Sequence, residues 1–350
     1  MQQGGTERAT APSLPAVDVI ILSLDRIDET IAAVTSALEQ KGVRQYIWIV
    51  DQASDASQHS RLQAFVIGKP VTLKSLRQNV GVPAGRNIAS RMGSAPYIVA
   101  IDNDAVFDGP HTLERAIAHL ESDPVLGAVG FRVLDYHSRE DDASCWVYHQ
   151  EMTSHSTKEF LAAQFVGTGH AVRRAAFEAS GGYDDDLFFA YEELDLSYRI
   201  MNTGYKIKYA PDAVVLHKRS PEHRIPWRKG RYYYTVRNRL YIHWKYGARF
   251  RRFARSAAGF LIKGAYNGLF CQTLSGLIDA IRLCRKFDRS ASDRSLYVLR
   301  HDVREYIRVC NPHDQINIWD KLRTHTFRRL PGVAFPSAVL PPVSQKDPEE

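Results

Sequence analysis

The sequence predicts an α/β protein built on a central, mostly parallel β-sheet, with a basic helical extension behind it. Three observations predict this. Apolar runs at 17–24, 46–50, 71–76 and 97–101 alternate with stretches of helical spacing, the pattern of successive βαβ units. Carboxylates follow two of these runs directly, Asp51 after the second and Asp102 after the fourth, at the strand end where α/β sheets bind ligands. From Pro226 onward the chain becomes basic, aromatic and helical.

Residues 1–16 are polar, with Gly, Thr and Pro, and read as a disordered lead without the apolar stretch of a signal peptide. The run at 17–24 is a buried strand. Ile31, Val34 and Leu38 share a helical face over 28–40, and Gly42 ends that helix. Strands at 46–50 and 71–76 enclose a helix at 57–66, and a short helix at 84–92 precedes the strand at 97–101. After Asp104, Pro110 opens a helix over 110–121. Residues 127–134 and 143–149 are strand-like, with a charged loop between them. A helix at 174–180, a Gly-Gly-Tyr-Asp-Asp-Asp loop at 181–186 and a helix at 192–203 follow. Short strands at 206–209 and 213–216 lead into His217. Residues 331–350 are Pro-rich and polar and read as a disordered tail.

The composition allows a sizeable core: 350 residues, 44% hydrophobic and 24% charged. A net charge of +7 points to an anionic partner such as a nucleotide, an acidic lipid or a nucleic acid. No recognised nucleic-acid motif supports the last of these, and none is expected. Four cysteines in this length fit neither a zinc pattern nor a disulfide framework, so a reducing compartment is expected. No segment is long and charge-free enough to span a bilayer, and Lys263 interrupts the best apolar run.

Asp102-Asn103-Asp104 carries the most chemistry. Two hard oxygen ligands at a strand end suit Mg²⁺ or Mn²⁺, which in turn holds phosphate; the plainer account is a polar turn. Four further segments line up with it: Ser23-Leu24-Asp25-Arg26, the 50–57 stretch opening with Val50-Asp51, the Gly-containing 79–87 stretch from Asn79 to Arg86 and Asn87, and the 181–199 stretch with Glu192-Glu193-Leu194-Asp195.

Together, in this order, they resemble the family 2 glycosyltransferases of the GT-A fold, and in particular the bacterial non-processive rhamnosyl-, galactosyl- and glucosyltransferases of surface-glycan synthesis. The resemblance covers roughly 17–245. After the disordered lead (1–16), it implies a GT-A domain (17–225), divided into a nucleotide-binding half (17–104) and an acceptor and catalytic half (105–225). A basic aromatic helical region (226–330) and a tail (331–350) complete the expected organisation.

The resemblance also implies roles. Ser23, Arg26, Asp51, Asn79, Arg86 and Asp102 fall where the nucleotide-sugar is held. Asp104 matches the metal ligand of the Asp-x-Asp motif, with Asp102 and His217 as further ligand candidates. Glu193 stands where the family carries its general base, usually Asp; Glu192 and Asp195 are the neighbouring candidates. Trp146, Gly169 and Tyr191 are acceptor candidates. A Gln-x-x-Arg-Trp motif, the mark of processive members, is absent.

The implied activity is inverting, metal-assisted transfer from a UDP- or dTDP-sugar to a hydroxyl of a glycan or lipid-linked glycan. The implied location is cytoplasmic, peripheral at the inner face of the membrane, with 226–289 as the candidate contact to anionic lipid. Two alternatives stand beside it. One is an inactive scaffold on the same fold. The other is a haloacid dehalogenase-type phosphatase with Asp102 as nucleophile, although three βα units precede Asp102 where that motif normally opens the domain.

Overall fold

The computed structural model describes residues 13–218, 230–247, 250–287, 294–310, 327 and 330. The expected lead, the tail and Arg228, Arg249 and Arg289 of the basic region lie wholly or largely outside them. The described residues fall into two compact units. The first holds 13–218, 245–247, 287 and 294–310; the second holds 230–244, 250–286, 327 and 330.

The first unit begins as expected. β1 (Ala16–Ser23), α1 (Ile27–Leu38), β2 (Arg44–Asp51), α2 (Ala56–Val66), β3 (Val71–Ser75), α3 (Val82–Ser90) and β4 (Tyr97–Ile101) alternate in order. Val17, Val19, Ile21, Ile49, Val99 and Ile101 are buried within one apolar cluster, which is why these runs carry so few polar residues. There follow β5 (Ala105–Phe107), α4 (Thr112–Ser122), β6 (Leu126–Asp135), α5 (Met152–His155), β7 (Phe160–Ala162), β8 (Gly169–Arg173), α6 (Arg174–Ala179), a 3-10 turn (Asp185–Leu187), α7 (Glu192–Asn202) and β9 (Lys206–His217).

One sheet runs β3-β2-β1-β4-β8-β6-β9-β5, with β7 also on β9. Pairing is parallel across β3-β2-β1-β4. It is mixed beyond: β8 is antiparallel to β4 and β6, while β9 runs parallel to β6 and antiparallel to β5.

Two local expectations are corrected. Residues 143–149 form turns, not a strand, because Asp142 Oδ1 accepts from the backbone N–H of Ser144 and the Asp142 carbonyl accepts from Cys145 N–H, an Asx-type turn that diverts the chain. Its aromatic residues pack among themselves, with Trp146 and Tyr148 edge-on to Tyr209. The two strands expected at 206–209 and 213–216 are one strand, β9. Its pairing with β6 jumps from Phe131↔Ala210 to Arg132↔Val214, so residues 211–213 form a bulge and the strand continues. Pro211 sits in that bulge, where it withholds no ladder hydrogen bond.

The second unit contains α8 (Arg231–Lys245), whose final residue belongs to the first unit, with α9 (Phe250–Tyr266) and α10 (Phe270–Lys286). Tyr232, Val236, Leu240, Ala257, Leu269 and Ala280 form its core. α11 (Arg294–Tyr297) and α12 (His301–Val309) belong to the first unit. Asn202 Nδ2 donates to the carbonyls of Ser295 and Val298 there. Among the described residues no helix is long and apolar enough to cross a membrane.

Candidate active site

The C-terminal ends of β1, β2 and β4 place Ser23, Asp51 and Asp102 along one sheet edge. Ser23 and Asp51 are paired across β1 and β2. After Ser23 the chain turns through two left-handed residues, Asp25 and Arg26. That turn aims Arg26 Nη1 at Asp104 Oδ2, 2.9 Å away. Asp51 is buried, with Oδ1 accepting from Ser54 Oγ at 2.5 Å and Oδ2 lying 2.9 Å from His59 Nδ1. Asn79 is exposed and accepts from Gly81 N–H at 2.8 Å. Ser23 Oγ lies 3.3 Å from Thr30 Oγ1 and faces inward.

Register brings Asp104 to His217. β5 lies antiparallel to β9 with Ala105 opposite His217, and Asp104 is the residue before Ala105. His217 Nε2 is 3.6 Å from Asp104 Oδ2, and Nδ1 is 2.8 Å from Asp142 Oδ2. Burial works against the imidazolium, but the nearby Asp104 carboxylate and the hydrogen bond to Asp142 outweigh it and push the His217 pKa up to about 12. Burial would raise Asp104; His217 and Arg26 more than offset it and hold that carboxyl below its usual range.

Two donors each about 2.0–2.2 Å from a shared cation stand roughly 3–4 Å apart. The 3.6 Å between Asp104 Oδ2 and His217 Nε2 therefore fits one divalent ion. The carboxylate oxygens there suit Mn²⁺ or Mg²⁺.

Arg86 organises the other half of the site. It lies on α3, nearly sealed from solvent. Nη1 donates to Glu193 Oε1 at 2.6 Å; Nη2 donates to Asp102 Oδ1 at 3.0 Å and to the Gly167 carbonyl at 2.9 Å. Its guanidinium thus joins the carboxylate after β4 to the one at the start of α7. Asp102 is the more open of these two, with 39% of its side chain exposed against 15% for Glu193. Gly167 makes room for this: a Cβ there would fall 2.2 Å from Glu193 Oε1.

The approach to α7 is strained. Phe188, Ala190 and Tyr191 all have positive φ, a conformation that non-glycine residues hold only where the surroundings dictate it. Val82 N–H donates to the Phe188 carbonyl at 2.7 Å, and a Cβ on Gly81 would strike that carbonyl. Asn87 donates to Asp185 Oδ1 and to the Tyr183 carbonyl. These bonds tie the 181–191 loop to α3 and deliver Glu192 and Glu193 at a helix N-terminus.

The three acidic residues of α7 differ sharply. Glu193 reaches Arg86. Glu192 is buried, and its Oε2 has no hydrogen-bond partner among the described residues; burial, then the neighbouring charge of Glu193, pushes its pKa up to about 8. Asp195 is fully buried and accepts from Arg199, Lys245 and Tyr246. Lys245 also reaches Asp184 at 2.5 Å, and Arg199 Nη1 donates to the carbonyls of Ser180 and Gly182. Asp195 is therefore the centre of a structural web.

Of the acceptor candidates, Gly169 starts β8 and is packed where a Cβ would meet Phe131 and Val215. Trp146 is part-buried among aromatics, its indole N–H donating to the Gln150 carbonyl. Tyr191 sits at the N-cap of α7. Asp142, Cys145, Thr168 and Lys245 lie at or beside the site without having been singled out in the sequence. The Asp142-Ala143-Ser144 turn signal was readable for the first; nothing local marks Lys245.

Residues 18–181 match the Glycosyl transferase family 2 model, and the chain carries a family 2 glycosyltransferase domain of GT-A fold. This sets aside the phosphatase alternative for Asp102. The chain is 28% identical over 133 residues to the O-antigen chain rhamnosyltransferase WbaN of Salmonella anatum, covering 35% of this chain and 40% of that protein. The match thus spans less than half of that relative.

Two solved structures share the fold. One is the mannosyltransferase PcManGT from Pyrobaculum calidifontis in complex with GDP-Man and Mn²⁺. It is 17% identical with a TM-score of 0.53, over 91% of this chain and 87% of that one. The other is GalNAc-T7 with UDP, GalNAc and Mn²⁺, 13% identical with a TM-score of 0.55, over 89% of this chain and 58% of that one.

Proposed function

We propose that this chain transfers a sugar, with inversion, from a UDP- or dTDP-sugar to a hydroxyl of a glycan or lipid-linked glycan. The observation that carries this is the Arg86 bridge, which holds Glu193 and Asp102 on one guanidinium. It sets a candidate base and a donor-side carboxylate at a fixed separation. The rhamnosyltransferase relative supports a hexose or deoxyhexose and a surface-glycan acceptor.

Glu193 is the general base. As the acceptor oxygen bonds to the anomeric carbon, its proton passes to a Glu193 oxygen, and the anomeric C–O bond breaks with its electron pair leaving on the diphosphate. Arg86 keeps Glu193 aimed and ionised. Asp104 and His217, with Asp102 beside them, would hold a divalent ion, Mn²⁺ or Mg²⁺; the two solved neighbours containing Mn²⁺ support this. When bound, that ion offsets negative charge on the departing diphosphate. Ser23, Arg26, Asp51 and Asn79 remain the nucleotide-side candidates, and Trp146, Gly169 and Tyr191 the acceptor-side candidates.

The test is slow donor hydrolysis across a panel of uridine and thymidine diphosphate sugars, with Mn²⁺, Mg²⁺ or chelator. One donor cleaved only with metal supports the assignment. Absence of both cleavage and nucleotide binding with metal present would favour the scaffold alternative.

For the second unit, we infer contact with anionic lipid at the inner face of the cell membrane. Phe270, Leu274, Ile278 and Ile281 form an exposed stripe along α10, and Ile262 and Tyr266 are exposed on α9. Exposed Arg251, Arg252 and Arg255 lie on α9, and Arg282, Arg285 and Lys286 on α10. Apolar side chains with basic residues nearby suit an anionic interface.

A further inference from the structure

Asp142, Cys145 and His217 converge on a point that the chemistry above does not use. His217 Nδ1 lies 2.8 Å from Asp142 Oδ2 and 3.6 Å from Cys145 Sγ; that sulfur lies 3.5 Å from the same carboxylate oxygen. The three donor atoms all lie within 4.8 Å of one another. A tetrahedral ion with a sulfur ligand near 2.3 Å and nitrogen or oxygen ligands near 2.0 Å sets S···N and S···O edges of about 3.5 Å and an N···O edge of about 3.3 Å. Both sulfur edges already have that length. The third opens by about 0.5 Å when an ion replaces the proton shared by His217 and Asp142.

We propose that Asp142 Oδ2, Cys145 Sγ and His217 Nδ1 form a binding site for Zn²⁺, and that filling it withdraws His217 from the active-site ion. The donor set separates the two ions. Thiolate with imidazole selects Zn²⁺, whereas Asp102 and Asp104 offer the hard oxygens that suit Mn²⁺ or Mg²⁺. The turn that displaces the expected strand presents the site. Ser144 N–H and Oγ both donate to Asp142 Oδ1, leaving Oδ2 turned toward His217. Thr168 Oγ1, 3.4 Å from Cys145 Sγ, borders the position of a fourth ligand.

The antagonism follows from the ring. A neutral imidazole has one lone pair. If Nδ1 gives it to Zn²⁺, Nε2 carries the hydrogen and presents N–H, not a ligand, toward Asp104. Coordination releases the Cys145 thiol proton and the Nδ1 proton to water, and no electrons change hands. Binding stands on the geometry alone; the antagonism rests on the proposed role of His217 toward the active-site ion.

The experiment titrates the full chain with Co²⁺, as an optical stand-in for Zn²⁺, and follows thiolate-to-cobalt charge-transfer absorption. It then measures Mn²⁺ affinity by electron paramagnetic resonance with and without one equivalent of Zn²⁺. The wild type should develop the band and Cys145→Ser should lack it. Zn²⁺ should weaken Mn²⁺ binding by about tenfold or more in the wild type and leave Cys145→Ser unchanged. A wild type without the band, or a Cys145→Ser protein with undiminished Zn²⁺ affinity, overturns the site. A full band with unaltered Mn²⁺ affinity overturns the antagonism. A His217→Ala protein that binds Mn²⁺ like the wild type would instead remove His217 from the active-site ion, a separate failure.

Discussion

Arg86 and Glu193 stand 107 residues apart in sequence and meet at 2.6 Å, the guanidinium Nη1 donating to the carboxylate Oε1. The partner Nη2 serves Asp102 and a backbone carbonyl at once. A planar fork can do this; a lysine ammonium keeps the charge but not the arrangement.

Arg86→Met should therefore leave two carboxylates without their shared partner and destabilise the protein by about 3–5 kcal/mol. Urea unfolding measures it. Arg86→Lys should recover part of that stability and still lose turnover, because Glu193 is no longer aimed. A midpoint unchanged in Arg86→Met would show that the bridge contributes nothing to the fold.

Glu193→Gln preserves shape and removes the proposed base. Turnover should fall by about 10²- to 10⁴-fold, while nucleotide affinity, read by calorimetry, stays at the wild-type value. Near-normal turnover would move the base to Glu192 or Asp195.

Glu192 gives a pH signature. Its ordinary value is 4.5 and its folded value about 8. Between these, the unfolded chain ionises and the folded chain does not. The stability contributed by the protonated group is complete below pH 4.5 and is lost as pH rises through 8. Glu192→Gln escapes that loss, so its melting temperature relative to wild type should rise between pH 5 and pH 9. An identical difference at both pH values would show that Glu192 holds no such proton.

Asp104→Asn should abolish metal-dependent activity and weaken Mn²⁺ binding measured by paramagnetic resonance. An enzyme with unchanged turnover would sink the ligand assignment.

The exposed stripe on α10 makes a separate expectation. Leu274→Glu with Ile278→Glu should release the protein from vesicles containing anionic lipid without lowering its helical content. Undiminished sedimentation with those vesicles would show that this face does not contact lipid.

The parallel half of the sheet was legible because its two central strands, β1 and β4, are buried on both faces and read as unbroken apolar runs. Asp102, Asp104 and Glu193 stood out as candidates because their segments keep a familiar order. The rest depended on distant pairing. β9 read as two strands because its bulge at 211–213 breaks the alternation, and only β6 reveals that the strand continues. Residues 143–149 read as a strand because alternating aromatics look alike whether they line a sheet or one another. Arg86 was placed near the donor, but its bond to Glu193 is a tertiary fact. Lys245 gave no signal, because a lysine in a basic helix normally points to water.

The register of β5 against β9 also sets an order in time. His217 is the last residue of β9, the last strand among the described residues, and it stands opposite Ala105 only once β9 has docked. Pairings this distant in sequence form late, because the intervening chain must close first. During synthesis, Asp104 would leave the ribosome long before the histidine that completes its setting. In refolding, the sheet signal in circular dichroism should accordingly recover ahead of Mn²⁺ affinity, and the interval between the two would time the docking of a single strand.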